Sequence, residues 1–179
     1  MKKISPSDLT RCAMVAALYT VISVAFLPLA FGVVQARISE ALTLLPAITP
    51  LGITGVTLGC LITNTYGVAS GANILGAADI VIGTVATFVA AVMTHGLRRH
   101  RIKGLPVLAS VPPVIINAVI IGAELTYAEF NTLSSPMLWV NMLQVGLGQL
   151  ISCTALGLLL VWALERGGLE KKLFGKDKI

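Results

Sequence analysis

The stretch V33-V-Q-A-R-I-S-E-A-L-T-L-L-P46 decides how this chain is read. It places Gln35, Arg37 and Glu40 between two long apolar runs. An isolated charge near hydrocarbon is costly, so these residues need either a partner or a task.

The surroundings are those of a membrane protein. The 179 residues are 56% hydrophobic and only 12% charged, where a soluble domain has about 25% charged residues. Mean hydropathy is +0.89. One membrane domain, residues 1–179, is expected. Cys12, Cys60 and Cys153 lie far apart in apolar sequence, without metal-ligand spacing, and read as reduced fillers. The polar N-terminus and the absence of an Ala-x-Ala site predict that the first helix is retained.

A span needs about 20 apolar residues. Residues 9–31, 75–97, 105–125 and 136–164 each fit one. Residues 38–66 are too long for one crossing and carry Pro46, Pro50 and Gly52. Charge resolves them. Lys2, Lys3 and Arg11 form one basic cluster, Arg98, Arg99, Arg101 and Lys103 a second, and Arg166, Lys171, Lys172, Lys176 and Lys178 a third. Cytoplasmic loops are enriched in Lys and Arg. All three clusters fall on one side only if residues 38–66 cross twice, as 38–49 and 52–66, or form a re-entrant hairpin of the same parity. The expected fold class is therefore all-α and integral to the membrane. It has six transmembrane helices, both termini cytoplasmic, and a basic tail at 165–179.

This topology sends Arg37, Glu40, Asn64, Asn73, Asp79, Glu124, Glu129 and Asn131 toward the outer side. The net charge of +5 becomes a topology signal, and nucleic acid is not an expected partner.

Motifs for catalysis are missing. No phosphate-binding Gly-x-x-x-x-Gly-Lys-Ser/Thr loop, His-Glu-x-x-His or Gly-x-Ser-x-Gly occurs. No metal or cofactor is expected. Binding groups are present. Arg37 and Glu40 share a helix face if a helix begins by Arg37, either as an anchoring salt bridge or lining a cavity. Asp79 reads as a helix N-cap or a ligand contact, and Asn64 as an end cap. Asn117 lies mid-span and must bond another helix or a ligand. Glu124, seven residues on, shares its face. Asn141, Gln144 and Gly148 share a face of the last helix, with Gln149 pointing elsewhere. Together these suggest one cavity at outer depth. Ala13 and Ala17, and Gly55 and Gly59, have the spacing of close helix contacts, internal or with another membrane protein.

Three segments carry a resemblance. QARISEALTLLP (35–46), GITGVTLGCLITN (52–64) and DIVIGTVATF (79–88) resemble the queuosine-precursor transporter family, whose members are substrate-binding S components of energy-coupling-factor transporters. The likeness runs from about residue 8 to residue 165. It implies six helices, no ATPase in this chain, and a pocket near the outer face with the first loop as a lid. It implies a separate transmembrane subunit and two cytoplasmic ATPases as partners, with Ala13 and Ala17 matching the docking motif. The implied ligand is queuine or an aminomethyl or cyano deazaguanine precursor. A carboxylate accepts from such a base's ring N–H and amine. Glu40, Asp79 and Glu124 are the candidate acids. Gln35, Arg37, Asn117, Asn141 and Gln144 are candidate donors, and Tyr127, Phe130 and Trp139 candidate stacking surfaces. On this reading Arg37 and Glu40 stand at the pocket's lip. The chief rival is a stand-alone secondary transporter, disfavoured because no acid is expected deep in the membrane. An intramembrane enzyme and a structural assembly subunit are further rivals.

Overall fold

A computed structural model describes residues 5–31 and 36–175. Gln35 lies outside the described residues. Among them the chain is helical, with no strand beyond an isolated bridge between Ile102 and Leu105.

Helix α1 (Pro6–Ala25) starts on a capping box in which Ser5 and Asp8 each bond the other's backbone N–H, satisfying donors a helix start leaves free. A short turn, α2 (Leu27–Ala30), follows. Then comes a buried 3-10 helix, Ile38–Ala47. At about 2.0 Å per residue it is roughly 20 Å long, short of the roughly 30 Å hydrocarbon core. Next come α3 (Leu51–Ala69) and α4 (Ala78–Leu97). Helix α5 (Val111–Phe130) begins on Pro112 and Pro113. The prolines therefore sit where no intrahelical N–H is needed. The last unit runs unbroken through α6 (Met137–Gln149), a π-helical stretch at Leu150–Leu156, and α7 (Gly157–Arg166). Helix α8 (Leu169–Phe174) then folds the tail back, burying Glu170 and Phe174.

Five of these units are long and apolar enough to cross a membrane: 6–25, 51–69, 78–97, 107–130 and 137–166. Their outer faces carry exposed Leu, Val, Ile and Phe. The interior is rich in Ala, Thr, Asn and Ser, the small and polar residues that hold helices together in lipid.

Contacts give the directions. Gly55 packs on Val15 and Gly59 on Tyr19, so α3 runs alongside α1 in the same sense. The 3-10 segment must then return between them. Its beginning places Arg37 against Ala30 and Cys60, and its end places the Pro46 carbonyl on His95 at the far end of α4. Asn64 meets Asp79 and Cys60 meets Gly83, so α4 runs opposite to α3. Asn141 meets Thr126, and Thr154 meets Ser110, so α6–α7 runs opposite to α5. The two ends of the described chain meet at one end of the bundle. There Arg11 Nη1 donates to the Phe174 carbonyl at 3.1 Å, and Arg101 makes a two-pronged pair with Glu165 at 2.9 and 2.6 Å.

Candidate binding site

Arg37 and Glu40 are not at a lip. Arg37 is level with Cys60, nine residues into α3, or about 14 Å along a helix axis. It is buried, as is Glu40. A chain that re-enters the bundle as a short segment, rather than starting a full span at the surface, carries its first polar residues to mid-depth. This also corrects the expectation that no acid lies deep.

Around these two residues five elements converge. Tyr19 of α1, fully buried, donates its hydroxyl to Glu40 Oε1. Arg37 Nη1 stands 3.9 Å from the same oxygen, and its guanidinium lies 4.9 Å from the centre of the Phe31 ring, a cation–π distance. Glu40 Oε2 is buried and has no partner among the described residues. Opposite stand Cys60 of α3, Asp79, Gly83 and Thr87 of α4, Asn117 and Ile121 of α5, and Gln149 of α6.

Asp79 is not an N-cap. Helix α4 is capped at Ala77, without a side-chain bond. The Asp79 carboxylate instead accepts from Asn73 Nδ2 at 2.7 Å, while Asn73 Oδ1 accepts from the Leu75 backbone. Asn64 is not an end cap either. It lies inside α3 and donates to the Asp79 carbonyl at 2.9 Å, joining α3 to α4. Gly83 makes this joint possible, because a Cβ there would stand 2.8 Å from Asn64 Nδ2. Asn73→Ala is expected to cost about 1–3 kcal/mol, the penalty for stranding a buried partner. Unfolding of the purified variant in detergent measures it, and Asn73→Asp should be worse because it sets two carboxylates together.

Asn117 is buried in the cavity wall and has no hydrogen-bond partner among the described residues. Its free amide is what distinguishes this spot from ordinary interhelical packing. The cavity is small, about 10 Å³, or the room for a single water.

The other candidates sit apart. Glu124 shares a helix face with Asn117 but lines a second, larger groove of about 770 Å³ between α4 and α5, with Ala78, Ile120 and Tyr127. Its carboxylate oxygens have no partner there. Asn141 joins α6 to α5, donating to Thr126 Oγ1 at 3.1 Å and Glu129 Oε2 at 3.3 Å. Gln144 does not line the inner cavity, and Gln149 does. The α6 face read from the sequence is thus the wrong one for the cavity, because α5 packs where Gln149, not Gln144, is turned inward. Gln149 also accepts from the Cys153 thiol at 2.9 Å. Tyr127, Phe130 and Trp139 are all exposed at the end of the bundle away from the basic clusters. Ala13 and Ala17 lie on the exposed face of α1, whereas Gly55 and Gly59 are consumed by α1–α3 packing. Tyr19, Asn73 and Gln149 were not picked out as site residues. Tyr19 has no signal in its apolar run, and Asn73 is a lone polar amide in the loop SGANILGA (70–77). Among the described residues no cluster of His, Cys, Asp or Glu fits a metal.

A bundle of long apolar helices around a buried polar centre defines a multi-pass membrane protein. A family model described as QueT transporter matches residues 9–166. The chain belongs to the QueT transporter family. No curated protein and no solved structure matches it.

Proposed function

We propose that the chain is the substrate-binding membrane subunit of an energy-coupling-factor transporter, for uptake of a queuosine precursor. It crosses the membrane six times, the 3-10 segment serving as the short second crossing, with both ends in the cytoplasm. The shared side of the two described ends and the basic residues gathered there support that topology. Transmembrane and ATPase partner subunits supply the energy, and Ala13 and Ala17 offer a docking face.

One observation carries the ligand reading. Arg37, Glu40, Asp79 and Asn117 meet around one cavity with acceptor and amide groups left over. A deazaguanine presents a donor edge for a carboxylate and a carbonyl for an amide or guanidinium. The ligand must widen the cavity to enter. Asp79 and Ile121 line the cavity, while their chain neighbours Ala78 and Ile120 line the outer groove. Glu124 in that groove is placed for a cationic arm. Gln35, Asn141 and Gln144 are kept as more distant contacts.

Equilibrium binding of queuine, the aminomethyl and cyano deazaguanines and guanine to the purified chain tests this. A deazaguanine should bind in preference to guanine. Asn117→Ala should weaken it by about 1–3 kcal/mol, the usual penalty for an unpaired buried partner. Absence of binding to every deazaguanine by folded protein would sink the proposal.

The buried acids Glu40 and Asp79 favour a second reading, a stand-alone secondary transporter coupled to an ion. Uptake by the chain alone in vesicles under an ion gradient would select it over the first.

A further inference from the structure

A groove at the basic end of the bundle has no part in the solute site. It encloses about 140 Å³ between α1 and α7. It exists because α1 and α7 each pack on the 3-10 segment, leaving that segment's side chains as a floor between them. Leu42 and Leu45 form the floor, and Leu160 and Leu164 of α7 one wall. Met14, Val15 and Leu18 of α1 form the other wall. Met14 and Leu18 are 58% and 50% exposed, so the groove opens sideways toward lipid.

Phe174 and Leu173 of α8 close the groove at the basic end, and Arg11 is its one polar lining residue. An apolar hollow with a single polar partner stays dry. In a bilayer the solvent at that depth is an acyl chain. The guanidinium carries five N–H donors, of which Nη1 is engaged by the Phe174 carbonyl and, at 3.6 Å, by Asp8. Lys171 and Lys172 are exposed on α8, the helix whose last carbonyl Arg11 meets. Positive charge at the headgroup level above an apolar slot selects an anionic lipid.

We propose that this groove binds one anionic phospholipid, with an acyl chain over Leu42 and Leu45 and the phosphate at Arg11. The site is independent of the solute reading and stands or falls separately from it. Leu42 lies two residues from Glu40, so the lipid rests on the element that carries the polar centre.

The test is native mass spectrometry of the full chain, released from mild detergent after equilibration with equal phosphatidylglycerol and phosphatidylcholine of matched acyl chains. One retained phospholipid per chain is expected, with phosphatidylglycerol favoured about fivefold, the scale of one basic side chain against an anionic lipid. Arg11→Gln should remove the preference. Leu18→Trp, at the exposed rim, should fill the slot and remove retention of both lipids while the unfolding temperature stays near that of the parent. Equal retention of the two lipids by the parent chain would overturn the proposal. So would a preference that survives Arg11→Gln, or retention unchanged in folded Leu18→Trp. Failure of the isolated chain to retain any phospholipid would assign the groove to another occupant, such as a partner helix, and overturn it equally.

Discussion

Arg37→Met is expected to cost about 3–5 kcal/mol of stability, the range found when one partner of a buried ion pair is removed. The pair is loose, at 3.9 Å, so its direct attraction is not the reason. The cost comes from what is left behind. Glu40 would keep the Tyr19 hydroxyl on one oxygen, but its second oxygen already lacks a partner among the described residues. Without the guanidinium, the Glu40 carboxylate at mid-depth would face neutral groups and a second carboxylate, Asp79, across the cavity. Phe31 would lose its cation as well. The companion variants fix the interpretation. Glu40→Gln alone leaves a buried cation and should also destabilise. Arg37→Met with Glu40→Gln should recover most of the loss, because it removes both charges at once. Unfolding of the four proteins in one detergent forms a double-mutant cycle. Losses that simply add would show that the two residues are energetically separate.

Gly59→Val is expected to be the most disruptive single change outside the charged centre, at about 3 kcal/mol, the upper part of the usual range for overpacking. A Cβ on residue 59 would stand 2.7 Å from Tyr19 Cβ and 3.1 Å from the Ala16 carbonyl oxygen. Neither is the free end of a flexible side chain. The helices would have to part, and α1–α3 is the most extensive helix pairing among the described residues. Parting them also draws Tyr19 away from Glu40, so binding at the proposed site should fall along with stability. Gly96→Ala is the control. Nothing lies within 4 Å of a Cβ at that position, and alanine is favoured over glycine inside a helix by about 1 kcal/mol. It should leave stability unchanged or raise it. Equal losses at the two positions would mean that contact with Tyr19 is not the cause.

The two sites of substitution differ in how visible they are in the sequence. Arg37 and Glu40 stand out because charges are rare in this chain and each must be accounted for. Gly59 shows only as half of a small-residue pair with Gly55, and the same pattern at Ala13 and Ala17 has the opposite fate. The glycines face α1, while the alanines face outward. Spacing of small residues marks a helix face that permits close approach. It does not say which neighbour approaches.

The same division runs through the polar residues. Asp79 and Asn117 could be singled out as groups needing partners, since a polar side chain in an apolar run must be satisfied somehow. Their partners could not. Asn73 and Asn64 reach Asp79 through a loop and an antiparallel helix, and Tyr19 reaches Glu40 across 21 residues of chain. Helical periodicity placed Asn117 with Glu124, yet packing of α4 against α5 puts them in separate hollows. Periodicity points Gln149 away from the Asn141 face, and the packing of α5 turns it into the cavity.

By itself, then, the sequence determined that this is an apolar, helical, multi-pass membrane protein with its basic residues segregated, and it marked the stretch around Arg37 and Glu40 as the anomaly to explain. Composition and charge segregation are sums along the chain, and lipid acts on those sums directly. Tertiary structure alone decided the depth of Arg37 and Glu40, the short 3-10 return that carries them there, and the choice of Tyr19 and Gln149 as their neighbours. Those depend on which helices pack together and at what rotation, and the energies that set them are differences between contacts made by residues far apart in the chain.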